Sequence, residues 1–176
     1  MIKENSKANL FVAEDLFGNK ISLEAYKGKK ILLSFFRYAS CPLCNLRVQE
    51  LIRNQQLFKE RGLEILAVFQ SPKDSLLQYV GKQNAPFPII TDPEERLYKL
   101  YQVEASAFGM MKAMFKPGKF VQAAKAGFIP GKGEGSKTRI PADFLIDQNL
   151  KIAKAYYGKD IGDHMPLNTI FEFLKP

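Results

Sequence analysis

The sequence predicts an α/β fold, a mixed central sheet flanked by helices, in one domain spanning residues 1–176. Three observations carry this expectation. Ile31–Phe36 and Leu63–Phe69 are near-continuous apolar runs, the pattern of strands covered on both faces. Each is followed by a segment with helical spacing of apolar residues. Phe144–Ile146 and Ile152–Tyr156 then flank Asp147-Gln148-Asn149 and read as a hairpin that completes the sheet. A chain of 176 residues suits one sizeable core, burying roughly 70% of its unfolded surface.

Each element has a local cause. Leu10–Ala13 is a short apolar run, Phe17–Lys20 a turn, and Ile21-Ser22-Leu23 an alternating short strand. After the strand from Ile31, Cys41-Pro42 opens a helix whose apolar positions include Val48, Leu51, Ile52 and Phe58, and Gly62 is its C-terminal stop. Ser71-Pro72-Lys73-Asp74 combines a capping serine, a first-turn proline and an acid near the positive helix end. Phe87–Ile90 reads as a strand. Asp92-Pro93-Glu94-Glu95 repeats the start signal ahead of Leu97, Leu100 and Tyr101, and a last helix near Pro166 carries Ile170, Phe171 and Leu174.

Composition narrows the function. Hydrophobic residues at 46% and charged residues at 25% describe an ordinary globular chain. Two cysteines and one histidine exclude a disulfide-framework miniprotein, a Cys/His zinc finger and a multi-histidine metal site. No metal and no cofactor are expected. The net charge of +8 leaves a polyanionic partner open. No stretch of 18 apolar residues predicts a membrane span, and the polar start Met1–Lys7 lacks the apolar segment of a secretory signal, so the expected location is the cytoplasm.

Cys41-Pro42-Leu43-Cys44 is the sharpest motif. It follows a buried strand by a few residues and opens a helix, where unpaired N–H groups and the helix dipole favour thiolate, the reactive form. Pro42 needs no amide donor at the first helical position and fixes the geometry. The motif can therefore donate two electrons and close a short disulfide. Competing readings are core packing, half of a metal site completed by His164 and an acid, and a static disulfide. Arg37 is placed to support a thiolate or to face solvent. His164, ahead of the last helix, is a surface or capping residue, with a role as base for the dithiol a weaker alternative.

Here the chain resembles the thioredoxin-fold superfamily, and within it the peroxiredoxin-like branch of the alkyl hydroperoxide reductase/thiol-specific antioxidant family. The resemblance runs from about Leu10 to the C-terminus. It rests on Asp15–Leu23, on Phe35–Cys44, on Phe87–Pro93 and on Ile140–Asp147 in that order. It implies a thioredoxin-like fold and an enzyme, a thiol-disulfide oxidoreductase and antioxidant reductase with a redox-active Cys41/Cys44 pair. It also implies that Pro141 stands where thioredoxin-like proteins carry a cis-proline against the CxxC; the alternative is that Pro141 merely starts an edge strand.

The departures from the family are informative. Aligning Cys44 with the peroxidatic cysteine of the Pro-x-x-x-Thr-x-x-Cys pattern puts Arg37 at the proline, Cys41 at the threonine and Pro141 near the peroxide-positioning arginine. Ser40 replaces the tryptophan that precedes the first thioredoxin cysteine. The peroxide-polarising set is thus mostly exchanged for thioredoxin-like residues. Two mechanisms remain: Cys41 attacks a disulfide and Cys44 resolves it, or a thiolate attacks a peroxide and its partner closes the bond. The exposed cap position favours Cys41 as nucleophile; the peroxiredoxin register favours Cys44. Electrons would come from thioredoxin, glutaredoxin or glutathione, and a homo-oligomer is compatible. Other readings are a disulfide reductase without peroxidase activity and a redox-sensing binding module that does not turn over.

Residues 105–139 hold seven basic residues against Glu134, which is +6 of the chain's +8. The segment reads as a basic helical insertion before the C-terminal hairpin. One amphipathic helix would carry Phe108, Met110, Met111, Met114 and Phe115, a second Phe120, Val121, Ala124 and Phe128. Gly131-Lys132-Gly133-Glu134-Gly135 follows as a loop. It is either a solvated elaboration or a partner surface near the dithiol; a membrane surface is a weaker fit and nucleic acid is not the expected partner.

Overall fold

The computed structural model describes residues 1–106 and 117–175. A small antiparallel pair, β1 (Val12–Glu14) and β2 (Lys20–Ser22), precedes a sheet of β3 (Lys30–Phe35), β4 (Leu63–Phe69), β5 (Ile89–Thr91), β6 (Ala142–Ile146) and β7 (Ile152–Tyr157). The spatial order is β5-β4-β3-β6-β7. β3, β4 and β5 are parallel, and the hairpin β6–β7 joins β3 antiparallel. The sheet is therefore mixed, as expected. Helix α1 (Pro42–Glu60) connects β3 to β4; α2 (Lys73–Gln78), α3 (Arg96–Leu100), α4 (Pro117–Lys125) and α5 (Leu167–Phe173) follow.

The apolar runs become strands for the predicted reason. Along β3, Leu32 packs with Val48, Leu51 and Phe58 of α1 on one face. Ile31, Leu33 and Phe35 pack with Tyr98, Tyr101 and Phe144 on the other. Phe35 meets Tyr98 edge-on at 5.2 Å and Phe144 at 5.9 Å. Each fully buried Leu, Ile or Phe contributes about 1.5–3 kcal/mol, so this doubly covered strand anchors the fold. It also fixes where Cys41 emerges, six residues after Phe35. The sequence stop at Gly62 holds, with φ +74 directly after the α1 cap.

Four local expectations change. Leu23 does not extend β2 but starts a 3-10 turn, Leu23–Tyr26, in which its side chain is buried. Ser71 does not cap α2; Pro72 stands at the cap, and Ser71 Oγ instead accepts the Ala39 N–H at 2.9 Å. Asp92 caps α3 from four residues upstream, accepting from the N–H of Arg96 and of Leu97 at 3.0 and 2.7 Å, so Pro93 lies before the helix. In α4 the buried residue is Ala123 rather than the expected stripe; Val121 is 51% exposed. The first expected insertion helix, Phe108 to Phe115, lies outside the described residues. Among the described residues, no helix is long and apolar enough to cross a membrane.

Candidate active site

Cys41 is the N-cap of α1 and Pro42 its first residue, so the dithiol sits on the helix start that the sequence indicates. The Cys41 N–H donates to Tyr38 O at 3.0 Å, and its carbonyl accepts the Asn45 N–H at 3.0 Å, the first turn of the helix. Asn45 Nδ2 donates to Ala39 O at 2.7 Å and to Cys41 O at 3.0 Å. This locks the corner against α1. Cys41 Sγ then accepts the Cys44 N–H at 3.4 Å, an orphan amide of the first turn.

Arg37 does not face solvent. It is buried, and its Nη1 donates to Cys41 Sγ at 3.4 Å. Its guanidinium lies 4.9 Å from the centre of the Tyr38 ring, and Nη2 donates to Lys137 O. Burial opposes ionisation of Cys41, but the Cys44 hydrogen bond, the Arg37 charge and the Cys44 and Leu43 N–H groups outweigh it and bring the thiol down to about 7. Cys44 moves the other way. Burial, then the hydrogen bond and charge of Cys41, push it well above 9.0. One thiol is thus readied as thiolate and its neighbour held protonated. Both are free cysteines in this structure.

Two expectations are corrected. Cys41 occupies the cap position but is not exposed: it is 0% accessible and Cys44 1%. A segment from the far side of the sequence is fastened to residues near the pair. Ser40 Oγ donates to Lys132 O at 2.8 Å, and Gln70 Nε2 to Glu134 O and Ser136 O at 3.0 and 2.7 Å. The glycine-rich loop is therefore fastened beside the dithiol and is not a free solvated loop.

The second correction is Pro141. The structure contains no cis peptide bond among the described residues, so Ile140–Pro141 is trans. Pro141 O accepts the Gly158 N–H at 2.9 Å, extending the β6–β7 pairing one step, and trans is the favoured X–Pro isomer by about 0.5–1 kcal/mol. Pro141 leads into β6, an internal strand between β3 and β7, so the edge-strand alternative does not hold either.

His164 joins a second buried centre. Its Nδ1 lies 3.1 Å from Asp143 Oδ2, and its ring lies 4.7 Å from the centre of Phe36. Asp143 also accepts from Met165 N–H at 2.6 Å and from Ser34 Oγ. Among the described residues no group of His, Cys, Asp and Glu is arranged to hold a metal. A groove of about 400 Å³ lies alongside, bordered by Leu43, Lys119 and His164. The sequence reading missed Gln70, Ser40 and Asp143. The alternate glycines 131, 133 and 135 were the available signal for the first two, since that spacing suits a segment lying flat on another surface.

The chain is similar to known proteins in sequence and in fold. The AhpC/TSA family model matches residues 5–155. A Mycobacterium tuberculosis protein provisionally named a peroxiredoxin is 26% identical over 159 residues, 90% of this chain and 87% of that protein. The thiol-disulfide oxidoreductase ResA of Bacillus subtilis is 30% identical over 103 residues, 58% of this chain and 57% of ResA. Among solved structures, peroxidoxin BcpB of M. tuberculosis superposes with a TM-score of 0.71 at 13% identity, covering 99% of this chain and 97% of BcpB. The fold is thioredoxin-like.

Proposed function

We propose that this chain, which belongs to the AhpC/TSA family and is a thiol-dependent redox enzyme, reduces small hydroperoxides through Cys41 and Cys44. The observation that carries the reading is the unequal pair: Cys41 brought to about 7 beside Arg37, Cys44 held protonated one turn on. The Cys41 thiolate attacks the terminal peroxide oxygen. An S–O bond forms, the O–O bond breaks, and the leaving alkoxide takes a proton to depart as alcohol or water. Cys41 is now sulfenic acid. Cys44 loses its proton and attacks that sulfur; the S–S bond forms and hydroxide leaves with the proton as water. The dithiol has given two electrons to the peroxide. An external thiol, from thioredoxin, glutaredoxin or glutathione, returns them by exchange at the disulfide.

Arg37 stabilises the thiolate. Pro42 fixes the helix start. Pro141 supports the site by setting the entry to β6, not by a cis bond. A reducing cytoplasm, where thiol pools return such pairs to the dithiol, is part of this reading.

A second reading is favoured by one feature, the CxxC at a helix start in a chain with stretches similar to ResA: Cys41 attacks a substrate disulfide and Cys44 releases it. Following Cys41–Cys44 bond formation in reduced protein given hydrogen peroxide or a protein disulfide separates the two. Faster oxidation by peroxide, with sulfenic acid trapped in Cys44→Ser, is the expected result. Turnover with the disulfide alone overturns the peroxide reading, and no disulfide from either oxidant overturns both.

A further inference from the structure

The segment Gly131–Lys137 lies between α4 and β6 and crosses the residues that flank Cys41. Its backbone carbonyls take donors from three places: Lys132 O from Ser40, Glu134 O and Ser136 O from Gln70, Lys137 O from Arg37. The Glu134 carboxylate accepts from Ser75 Oγ of α2 at 2.5 Å. Its glycines are fitted, not incidental. A Cβ on Gly131 would sit 2.4 Å from Tyr79 Oη, and one on Gly135 would sit 3.0 Å from the Gln70 side chain with φ at +67. A Cβ on Gly133 would lie 3.6 Å from the Tyr38 ring. The strap is thus pressed onto Tyr38, Gln70 and Tyr79, next to a dithiol whose two cysteines have essentially no exposure. Arg37 ties the two together, one nitrogen on Cys41 Sγ and another on Lys137 O.

We propose that this strap determines which oxidants reach the dithiol, admitting small ones and excluding protein disulfides. The inference rests on the reading of Cys41 as the attacking thiol. A protein disulfide must lay extended backbone beside the attacked sulfur, and the strap occupies that approach. A peroxide needs only a small local opening, the kind of low-cost fluctuation that loops undergo. Opening costs the strap its anchoring hydrogen bonds, so loosening any anchor raises the accessible fraction.

The test compares reduced full-length wild type with two variants. Gly135→Val forces a β-branched side chain into positive φ against Gln70 and lifts the strap. Ser75→Ala removes only the Glu134 anchor, at a helix position where alanine is favourable, and protects the test against misfolding of the first. Cys41 alkylation is followed by mass spectrometry with iodoacetamide and with bulky fluorescein maleimide, alongside oxidation by hydrogen peroxide and by insulin disulfide. In Gly135→Val the rates with the maleimide and insulin should rise at least about ten-fold, and those with iodoacetamide and peroxide less than about three-fold. Ser75→Ala should shift them in the same order by about two- to three-fold. Equal increases for small and bulky reagents, or none in either variant, overturn the strap's selectivity. If no oxidant closes the Cys41–Cys44 bond in any protein, the redox reading fails, and the alkylation ratios still decide the strap.

Discussion

Two buried centres, one at the start of α1 and one on β6, each set an anion near an arginine. At the helix start, Cys41 Sγ has Arg37 Nη1 and the Cys44 N–H, both at 3.4 Å. Nearby, Asp143 has Ser34, His164 and the Met165 N–H, while the Arg47 charge adds to its stabilisation. Burial opposes both anions; His164 first, then Arg47 and Ser34, still hold Asp143 below 3.8. The difference is the second thiol. The carboxylate is fully provided with donors and has no unmet demand, the mark of a structural centre. The Cys41 sulfur takes the Arg37 and Cys44 N–H donors at 3.4 Å, ordinary for sulfur, and has a neighbouring thiol able to displace what it binds. Arg37 Nε and Arg47 Nε are both buried with no hydrogen-bond partner among the described residues, so the arginines do not separate the two centres. The proposed reactivity belongs to the centre that pairs an ionisable thiol with a second thiol.

Exchanging the nucleophile should break this comparison most severely. Cys41→Ser is expected to lower peroxide-driven turnover by at least about 10³-fold, because the serine hydroxyl stays protonated where the thiol ionised. Cys44→Ser should retain the first oxidation event and stop at sulfenic acid, detected by a dimedone adduct on Cys41. Equal reactivity in the two variants would reverse their assigned roles.

The structural centre should respond in stability instead. Asp143→Leu removes the acceptor from Ser34, His164 and Met165 and leaves the nearby Arg47 charge less compensated. Its expected cost is about 3–5 kcal/mol, read by urea denaturation, with little change in Cys41 alkylation of the protein that stays folded. The acid limb follows the same sign. Asp143 is depressed in the fold, so its contribution is complete above 3.8 and is lost as pH falls through the lower folded value. Wild type should therefore lose stability on acidification relative to Asp143→Leu.

Arg37→Met is the subtler probe. Iodoacetamide alkylation of Cys41 should titrate with a midpoint near about 7 in wild type. Removing the guanidinium should raise that midpoint by about one pH unit or more, slowing the reaction several-fold at neutral pH while leaving the high-pH plateau in place. A midpoint that does not move would assign the thiolate to the helix start alone.

Much of this was legible from local pattern. β3 and β4 follow from runs long enough to be covered on both faces, and α1 from Cys41-Pro42 and Gly62, because caps and periodicity act over a few residues. Ser71 misled because its hydroxyl serves Ala39, across the site, and not its own helix. Arg37 was ambiguous because a single arginine after a strand carries no sign of what will cover it. The cis bond expected at Pro141 came from the family resemblance; in the structure the bond is trans, and Pro141 O pairs with the Gly158 N–H at the entry to β6.

The sequence by itself determined the layered α/β scaffold and placed both thiols at one strand-to-helix corner. Those properties depend on neighbours within a helical turn or a strand. Tertiary structure decided which thiol ionises, whether either is exposed and what Arg37 does. Those properties depend on partners 100 residues away, such as Lys137 for Arg37, and on the desolvation that only a closed fold imposes.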